Sequence, residues 1–257
     1  MSIVAVERAL VLLKHMADEP RGLSVREAAR RLGYSPAVVQ KSLQALVTQG
    51  FADQDHRTQA YRLGPAALQV GLRGVAQHDL RGAARPHLEW LAAETGETAI
   101  LGVRARDHVT YLDQVESSRE VHLRVRLGED RPLNSTAVGK HYLAELSDEE
   151  IAQLAEDGAF EAPTERSITE LNELLTEIEQ VRDTGVSFDE REYRSDSVCI
   201  AAPIRDHEGV LKGAVTVAGP VDRMEAHRDE LEPTVVECGR RISAALGSTE
   251  GRVAASV

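Results

Sequence analysis

Residues 35–49 have the sequence SPAVVQKSLQALVTQ, and this segment is the clearest indication of a fold in the chain. Ser35 followed by Pro36 is typical of a helix start, because the hydroxyl caps the first turn and proline lacks only an amide hydrogen that has no partner there. The residues that follow predict a helix with two distinct faces. The apolar face contains Val39, Leu43, Leu46 and Val47. The opposite face contains Ala37, Gln40, Lys41, Gln44 and Thr48.

The flanking residues predict a small helical domain with a hairpin. Upstream, residues 3–18 have helical apolar spacing, and the predicted capping box SVRE at residues 24–27 opens a second helix that ends at Gly33. Downstream, residues 51–63 predict two short strands joined by a polar turn. Helices separated by a turn of about three or four residues and followed by a hairpin are typical of a winged helix-turn-helix. We assign residues 1–64 to this domain.

The exposed face of the third helix has side chains that suit nucleic acid. A helix fits the major groove, where Gln40 and Gln44 can reach base edges and Lys41 can reach a phosphate or a guanine. The candidate DNA-binding residues are Arg26, Ser35, Ala37, Val38, Gln40, Lys41, Gln44 and, at the predicted hairpin tip, Arg57. Each one taken singly can equally be a solvated surface residue. The caps, the short turn and the hairpin together favour DNA binding.

The net charge of −12 argues against nucleic acid until its distribution is considered. Residues 1–64 contain nine Lys and Arg against six Asp and Glu, a balance of +3, whereas the remainder contains 21 against 36, a balance of −15. A basic head attracts phosphate, while an acidic body discourages indiscriminate adhesion. Enzymes also show such asymmetry by chance, so the charge supports DNA binding only together with the helix.

Both halves of the chain resemble the IclR family of bacterial transcription regulators. In the head the matching segments are AVERAL (5–10), LSVREAA (23–29), QALVTQGF (44–51) and YRLG (61–64). In the body they are RPLNSTAVGK (131–140), GVSFDERE (185–192) and VCIAAPI (198–204). The resemblance covers about residues 3–247. One departure is Pro36-Ala37-Val38, where the family often has small hydroxyl residues, so readout there would depend on apolar contact with groups such as thymine methyls.

The body predicts an α+β domain joined to the head by a helix. An amphipathic linker helix is assigned to residues 65–80, with Leu68, Leu72 and Val75 on one side, and the resemblance implies that it also pairs subunits. The predicted strands are residues 121–127, 198–204 and 210–218, and the predicted helices are residues 85–95, 147–155, 169–184 and 224–246. The resemblance implies a GAF-like fold for residues 81–247, an antiparallel sheet flanked by helices. Residues 248–257 are predicted to be a flexible tail.

Small side chains on the strand at 210–218 predict a ligand cavity. Ala214, Thr216 and Ala218 share a face, and small residues beside a bulky core leave volume. Ser135-Thr136 opens a predicted helix whose first amides can bind an anion. In the family the matching positions line an effector pocket, and the resemblance carries this role to Ala137, Val138, Asp189, Cys199, Thr216 and Ala218. Its apolar wall is predicted to include Val125 and Leu127.

These pocket residues also have ordinary explanations. Thr216 can bond within its sheet, Asp189, in a predicted loop, can cap a turn, and a buried cysteine is usually a small hydrophobe. If the pocket exists, Ala218 stands at a position where the family usually has a small polar residue. This difference favours an effector with more apolar surface than the smallest oxo-acids, such as an aromatic or branched acid or amide.

Signatures of enzymes and metal sites are missing from the sequence. It has no GxSxG, HExxH or GxGxxG motif, and Cys199 and Cys238 are not at metal-binding spacing. We predict no catalytic residue, no metal and no cofactor. No apolar run approaches the ~20 residues that span a bilayer, and the N-terminus lacks a signal-peptide core. We therefore expect a soluble cytoplasmic protein with free thiols and no membrane partner.

The function expected from these features is ligand-responsive transcription regulation. The resemblance favours a repressor of a catabolic operon, controlled by a small organic acid or a related metabolite, which can be aromatic. The expected partners are a double-stranded DNA operator, the small-molecule effector and further copies of the chain, as a dimer or a dimer of dimers. The alternative is a small-molecule sensor that acts through protein partners without sequence-specific DNA binding.

Overall fold

The computed structural model describes residues 3–76 and 79–248, and each of these two ranges forms a compact unit. The first unit contains α1 (Ile3–Ala17), α2 (Val25–Leu32), α3 (Pro36–Thr48), β1 (Ala52–Gln54), β2 (Tyr61–Leu63) and α4 (Pro65–Ala76). The three predicted helices within residues 3–49 and the hairpin are confirmed. Of the linker helix predicted over residues 65–80, α4 covers 65–76, residues 77 and 78 lie outside the described part of the chain, and residues 79 and 80 begin a separate helix of the second unit. Strands β1 and β2 are antiparallel, and Leu23 adds a bridge to Tyr61, which widens the hairpin into a small sheet.

The core of the first unit forms where the apolar faces of its helices meet. Its fully buried side chains are Leu12, Leu23, Ala28, Val39, Leu43, Ala52 and Tyr61. Ser24 caps α2 by accepting a hydrogen bond from the backbone N–H of Glu27 at 3.2 Å. The carboxylate of Glu27 pairs with Arg31 at 2.6 Å instead of turning back to the cap, so only half of the predicted capping box forms.

The second unit combines one antiparallel sheet with helices on both faces. It contains α5 (Asp79–Thr95), β3 (Thr98–Ala105), β4 (His108–Val115), β5 (Asp130–Pro132), α6 (Ala137–Ala144), α7 (Asp148–Glu156), α8 (Leu171–Thr184), β6 (Ser187–Glu190), β7 (Ser197–Arg205), β8 (Leu211–Pro220), α9 (Val221–Ala226) and α10 (Arg228–Ala245). Within residues 79–248 the sheet order is β5-β4-β3-β8-β7-β6. The sequence predicts no element for residues 98–115, which form β3 and β4.

Strand β8 divides the second unit into two cores, as its alternation predicts. Val215 and Val217 pack in the core with α5 and α10, whereas Ala214 and Ala218 pack in the core with α6 and α8. The small residues therefore face the side of the sheet that carries the start of α6. This side holds the candidate effector site.

Two predicted elements of the second unit are wrong. Residues 121–127 form no strand: the carbonyls of Leu123 and Val125 accept hydrogen bonds from the side chains of Thr98 and Gln114 rather than from a neighbouring strand. The helix predicted over 224–246 is two helices, because His227 between them leaves the helical conformation.

The last described residue, Ser248, is held at the end of α10. Ser248, the first residue of the predicted tail, is buried and donates its backbone N–H to Ser243, while residues 249–257 lie outside the described part of the chain. Among the helices of the described residues, none is long and apolar enough to cross a membrane.

Candidate nucleic-acid interface and effector pocket

Helix α3 presents a polar face on the first unit. Ser35 caps it by accepting a hydrogen bond from the backbone N–H of Val38, and Pro36 occupies its first turn. Val39 and Leu43 are fully buried beneath it. The side chains that the sequence assigns to DNA contact are exposed, with Val38 half-buried. They are Arg26, Ser35, Ala37, Val38, Gln40, Lys41 and Gln44. This geometry leaves one face of α3 available to a DNA groove.

Of the two glutamines on this face, Gln40 is the one that hydrogen-bonds to the hairpin within the described residues. Its Nε2 donates to the hydroxyl of Tyr61 at 3.0 Å, and Tyr61 is fully buried in β2. The second hydrogen on Nε2 and the carbonyl Oε1 retain the pair of groups that recognises adenine. The hairpin thus orients a candidate base-reading side chain.

The hairpin turn is organised by Asp55. Its Oδ1 accepts hydrogen bonds from the backbone N–H groups of Arg57 and Thr58, both at 2.8 Å. These two bonds lower the pKa of the Asp55 carboxyl, that of Thr58 being the larger cause. The turn leaves the Arg57 side chain exposed, where it can meet a flanking phosphate.

The number of basic residues in the first unit overstates the positive charge available to DNA, because some of them, such as Arg31, are paired with carboxylates. The guanidinium of Arg31 bonds Glu19 and Glu27, both at 2.6 Å. Arg30 lies 3.8 Å from the same Glu27 carboxylate. The positive charge available to DNA therefore comes from other basic residues of the first unit. One of these is Arg62 in β2, which is exposed and was not among the predicted DNA-binding residues.

In the second unit, the start of α6 forms one wall of the candidate pocket. Thr136 caps the helix: its Oγ1 accepts from the N–H of Gly139 at 3.1 Å and donates to the carbonyl of Pro132 at 2.7 Å. A Cβ on Gly139 would lie 2.3 Å from the carbonyl oxygen of Leu133, so only glycine permits this close approach. Ala137 and Val138 are buried at the first turn, against the sheet.

Ser135 and Arg131 carry buried polar atoms beside this helix start. Ser135 is fully buried, and its Oγ has no hydrogen-bond partner within residues 3–76 and 79–248. The buried Nε of Arg131 also lacks a partner among the described residues, although the same guanidinium bonds Glu129 at 2.6 Å and the hydroxyl of Tyr193. Unpartnered buried donors are costly, which favours a ligand that satisfies them.

Asp189 and Cys199, which are predicted to line the same pocket, lie on strands β6 and β7. They are direct partners in the strand register, so the prediction that Asp189 lies in a loop is wrong. Its Oδ1 accepts from the backbone N–H of Glu192 at 2.7 Å and of Tyr193 at 3.1 Å. Burial raises the pKa of Asp189 to about 7, against the effect of these bonds. Burial also raises the pKa of the Cys199 thiol, and the neighbouring Asp189 adds to this rise.

The outcomes for the remaining predicted pocket residues differ. Ala218 is fully buried opposite Cys199 in the register. The hydroxyl of Thr216 donates to the carbonyl of Ile200 at 2.9 Å, which agrees with its ordinary explanation, a bond within the sheet. Val125 is partly buried against the core of α6 and α8. Leu127 is 47% exposed and does not join that core, because the chain there turns at the surface.

Similarity to known proteins agrees with this geometry. Residues 5–56 match the IclR helix-turn-helix domain, and residues 73–244 match the domain described as bacterial transcriptional regulator IclR C-terminal. The chain belongs to the IclR family. The HTH-type transcriptional regulator BhcR of Paracoccus denitrificans is 32% identical over 242 residues, which are 94% of this chain and 86% of that protein. The transcriptional repressor IclR of Escherichia coli is 26% identical over 248 residues, covering 95% and 90%.

A solved structure extends the comparison to the fold. An IclR homolog from Microbacterium hydrocarbonoxydans, complexed with 4-hydroxybenzoate, has a TM-score of 0.80 and 20% identity, covering 96% of this chain and 99% of that one. These relatives are regulators rather than enzymes. The IclR-family chain described here is accordingly an HTH-type transcriptional regulator with an N-terminal helix-turn-helix and a C-terminal α+β domain.

The structure of this IclR-family regulator also places residues that the sequence did not select. Tyr111 is buried, and this burial raises the pKa of its hydroxyl, with a smaller contribution from Cys199. The guanidinium of Arg131 lies 4.6 Å from the ring centre of Tyr193 and 5.6 Å from that of Tyr111. The segment RPLNSTAVGK contains Arg131 and Ser135, but neither side chain was among the predicted pocket residues. Among the described residues no group of three potential ligands could hold a metal ion.

Proposed function

We propose that this regulator is a repressor whose second unit binds an organic anion with an aromatic or branched apolar body. The observation that carries the proposal is the fully buried, unpartnered Ser135 hydroxyl next to the start of α6. Together with the Nε of Arg131 and the helix amides, it supplies donors for a carboxylate. The rings of Tyr111 and Tyr193 and the methyl of Ala218 supply surface for an apolar body.

The pocket residues in this proposal have distinct roles. Ala137 and Val138 would present backbone amides, Asp189 and Cys199 would form the far wall, and Val125 would contribute apolar surface. Thr216 would shape the sheet without offering its hydroxyl. The 4-hydroxybenzoate bound to the Microbacterium homolog is compatible with an aromatic acid as ligand class. We also propose that this domain is GAF-like.

The proposed DNA contacts follow from the exposed face of α3. Gln40 and Gln44 would read bases, whereas Lys41, Arg57 and Arg26 would contact phosphates. The relative named transcriptional repressor IclR supports repression as the mode of action. We propose residues 1–64 as the DNA-binding part, 65–80 as the linker and 81–247 as the effector-binding part, in a cytoplasmic protein.

Apolar side chains on two helices support self-association. Val4, Val6 and Leu10 of α1 are exposed, as are Leu68, Val70 and Leu72 of α4. Clusters of exposed apolar residues commonly mark interfaces between proteins. A homodimer, alone or paired into a tetramer, would present two copies of α3 to a pseudo-palindromic operator.

A ligand panel tests the effector class. Isothermal titration calorimetry would compare benzoate, 4-hydroxybenzoate, the neutral 4-hydroxybenzamide, isovalerate and pyruvate with the full-length protein. We expect the larger acids to bind at least tenfold more tightly than pyruvate and the amide. Binding of pyruvate alone would contradict the proposed class.

DNA binding is tested separately. Fluorescence anisotropy would use duplexes tiled across the DNA upstream of the protein's own coding sequence, with and without the tightest acid. We expect one duplex to bind at least a hundredfold more tightly than scrambled DNA. If no duplex does so, the chain would be a sensor that acts through protein partners.

A further inference from the structure

A polar cleft of about 480 Å³ opens on the second unit between α8, β6 and the segment that precedes α8. Five glutamates line it: Glu165, Glu173, Glu177, Glu190 and Glu192. Arg166 and Arg228 line it as well, and the buried Lys140 contacts it from beneath through two of the glutamates. Five carboxylates against three cations leave an excess of two negative charges.

Two of the three cations, Arg228 and Lys140, are already paired with glutamates of the cleft. Arg228 pairs with Glu190 and lies 3.9 Å from the ring centre of Phe188. Lys140 is fully buried, and its single ammonium bonds Glu192 at 2.6 Å and Glu177 at 3.0 Å. Within the described residues, no ion pair joins Glu165 or Glu173 to a cation. The cleft therefore has room and charge for a further positive group.

Glu192 provides an observation independent of the acidic cluster. It is 3% exposed and lines the cleft, and its Oε2 is buried without a hydrogen-bond partner among the described residues. Burial raises the pKa of its carboxyl, against the opposing effect of Lys140. A buried carboxylate oxygen left unpartnered costs free energy, and a cation in the cleft would remove that cost.

We propose that this cleft binds an aliphatic diamine or polyamine, with one ammonium at Glu192 and Glu177 and another at Glu173 and Glu165. An ammonium offers three donors, which suits carboxylate oxygens on several sides. Ile168 and Phe188 line the same cleft and offer apolar surface to the methylene chain. A divalent metal fits less well, because no group of three ligating side chains in the described residues is placed to hold one.

The position of the cleft links it to the proposed effector pocket. The backbone N–H of Glu192 donates to Asp189, so both sites share one turn of the chain. A ligand that holds Glu192 would also restrain the turn that positions Asp189. Amine binding itself is independent of the effector proposal, and its test contains no effector.

Calorimetry on the full-length protein tests the site with putrescine and spermidine at constant ionic strength. We expect saturable binding, with spermidine tighter than putrescine. The Kd of spermidine should rise about threefold for Glu173→Gln or Glu165→Gln alone and about tenfold for the double variant, because both positions are exposed. Glu179→Gln is the matched control, since Glu179 is exposed on α8 but does not line the cleft, and it should leave the Kd unchanged.

Further outcomes decide against the proposal. It is overturned if neither amine binds saturably, if MgCl2 at equal ionic strength competes as well as spermidine, or if the double variant binds as tightly as the parent. Glu192→Gln, checked for folding by circular dichroism, should weaken spermidine by more than either exposed variant. A folded Glu192→Gln protein with parental affinity would also overturn it.

Discussion

Gln40 on α3 and Tyr61 on β2 are joined by a hydrogen bond of 3.0 Å, although they lie 21 residues apart. Tyr61 is fully buried and its backbone is bonded in both directions to Leu23, so its hydroxyl is a fixed acceptor. A flexible glutamine loses less freedom on binding a base if it is already oriented. In the proposed interface, the hairpin would therefore contribute to base readout by orienting Gln40.

Removing this acceptor tests the role of Tyr61. Tyr61→Phe keeps the buried ring and deletes only the hydroxyl. We expect a loss of ~0.5–1.5 kcal/mol in the free energy of unfolding and a ~3–10-fold fall in the ratio of specific to scrambled DNA binding. Urea unfolding and anisotropy measure the two effects. Affinity for scrambled DNA serves as the internal control and should not change; an equal fall for both duplexes would mean that Tyr61 is only structural.

Phosphate contacts should appear in the salt dependence. Lys41→Ala and Arg57→Ala are each expected to weaken binding to every duplex and to lower the slope of log K against log salt by about one. Arg31→Ala is the matched control, because the guanidinium of Arg31 is already neutralised by Glu19 and Glu27. Anisotropy between 50 and 300 mM NaCl (about the range in which such slopes are measured) checks all three. A lower slope for Arg31→Ala alone would contradict the proposed interface.

The first unit was predictable because its signals are local. The signals from Ser35, Pro36 and the apolar spacing act within one or two turns of α3. The structure confirms the predicted cap and proline position, and it buries Val39 and Leu43 as predicted. The outcome of Glu27 shows the limit of this reasoning. Its carboxylate could pair either with the backbone N–H of Ser24 or with Arg31. The ion pair with Arg31 formed instead of the reciprocal cap.

The candidate pocket was predictable only in part, since its decisive contacts are distant in sequence. Arg131 hydrogen-bonds to Tyr193, which lies 62 residues further along the chain. The sequence next to either residue does not specify this contact. The alternation at 121–127 had the correct period for a strand, but a strand also needs a neighbour with free backbone groups. There the backbone is held by side chains such as Thr98, so Leu127 ends at the surface.

Two buried serines give a matched test of the pocket. The hydroxyl of Ser135 has no partner among the described residues, whereas that of Ser187 donates to the carbonyl of Ala137 at 2.6 Å. Ser135→Ala should therefore raise the free energy of unfolding by ~1 kcal/mol, and Ser187→Ala should lower it by ~1–2 kcal/mol. Ser135→Ala should also weaken the tightest acid of the panel about tenfold. Urea unfolding and calorimetry measure these effects, and destabilisation by Ser135→Ala would show that its hydroxyl has a structural partner.

The raised pKa of Asp189 predicts a pH dependence of stability with a definite sign. Its folded pKa of about 7 lies above the unfolded value of 3.8, so between these values the folded state binds the extra proton. This contribution is complete below the unfolded value and is lost as the pH rises toward 7. Asp189→Asn keeps an oxygen for the N–H groups of Glu192 and Tyr193 and cannot ionise. Relative to the parent, the variant should gain ~1–4 kcal/mol of stability between pH 5 and pH 8.

The buried His141 complicates the parent profile but not this difference. Burial lowers its pKa from 6.5 to about 4, so its contribution to stability is lost as the pH falls through that range, opposite in sign to Asp189. Because His141 is present in both proteins, subtracting the two urea-unfolding profiles removes its effect. Parallel profiles for the parent and Asp189→Asn would show that Asp189 is ionised in the folded protein throughout. In that case it would repel a bound carboxylate, and the proposed anion pocket would lose one of its walls.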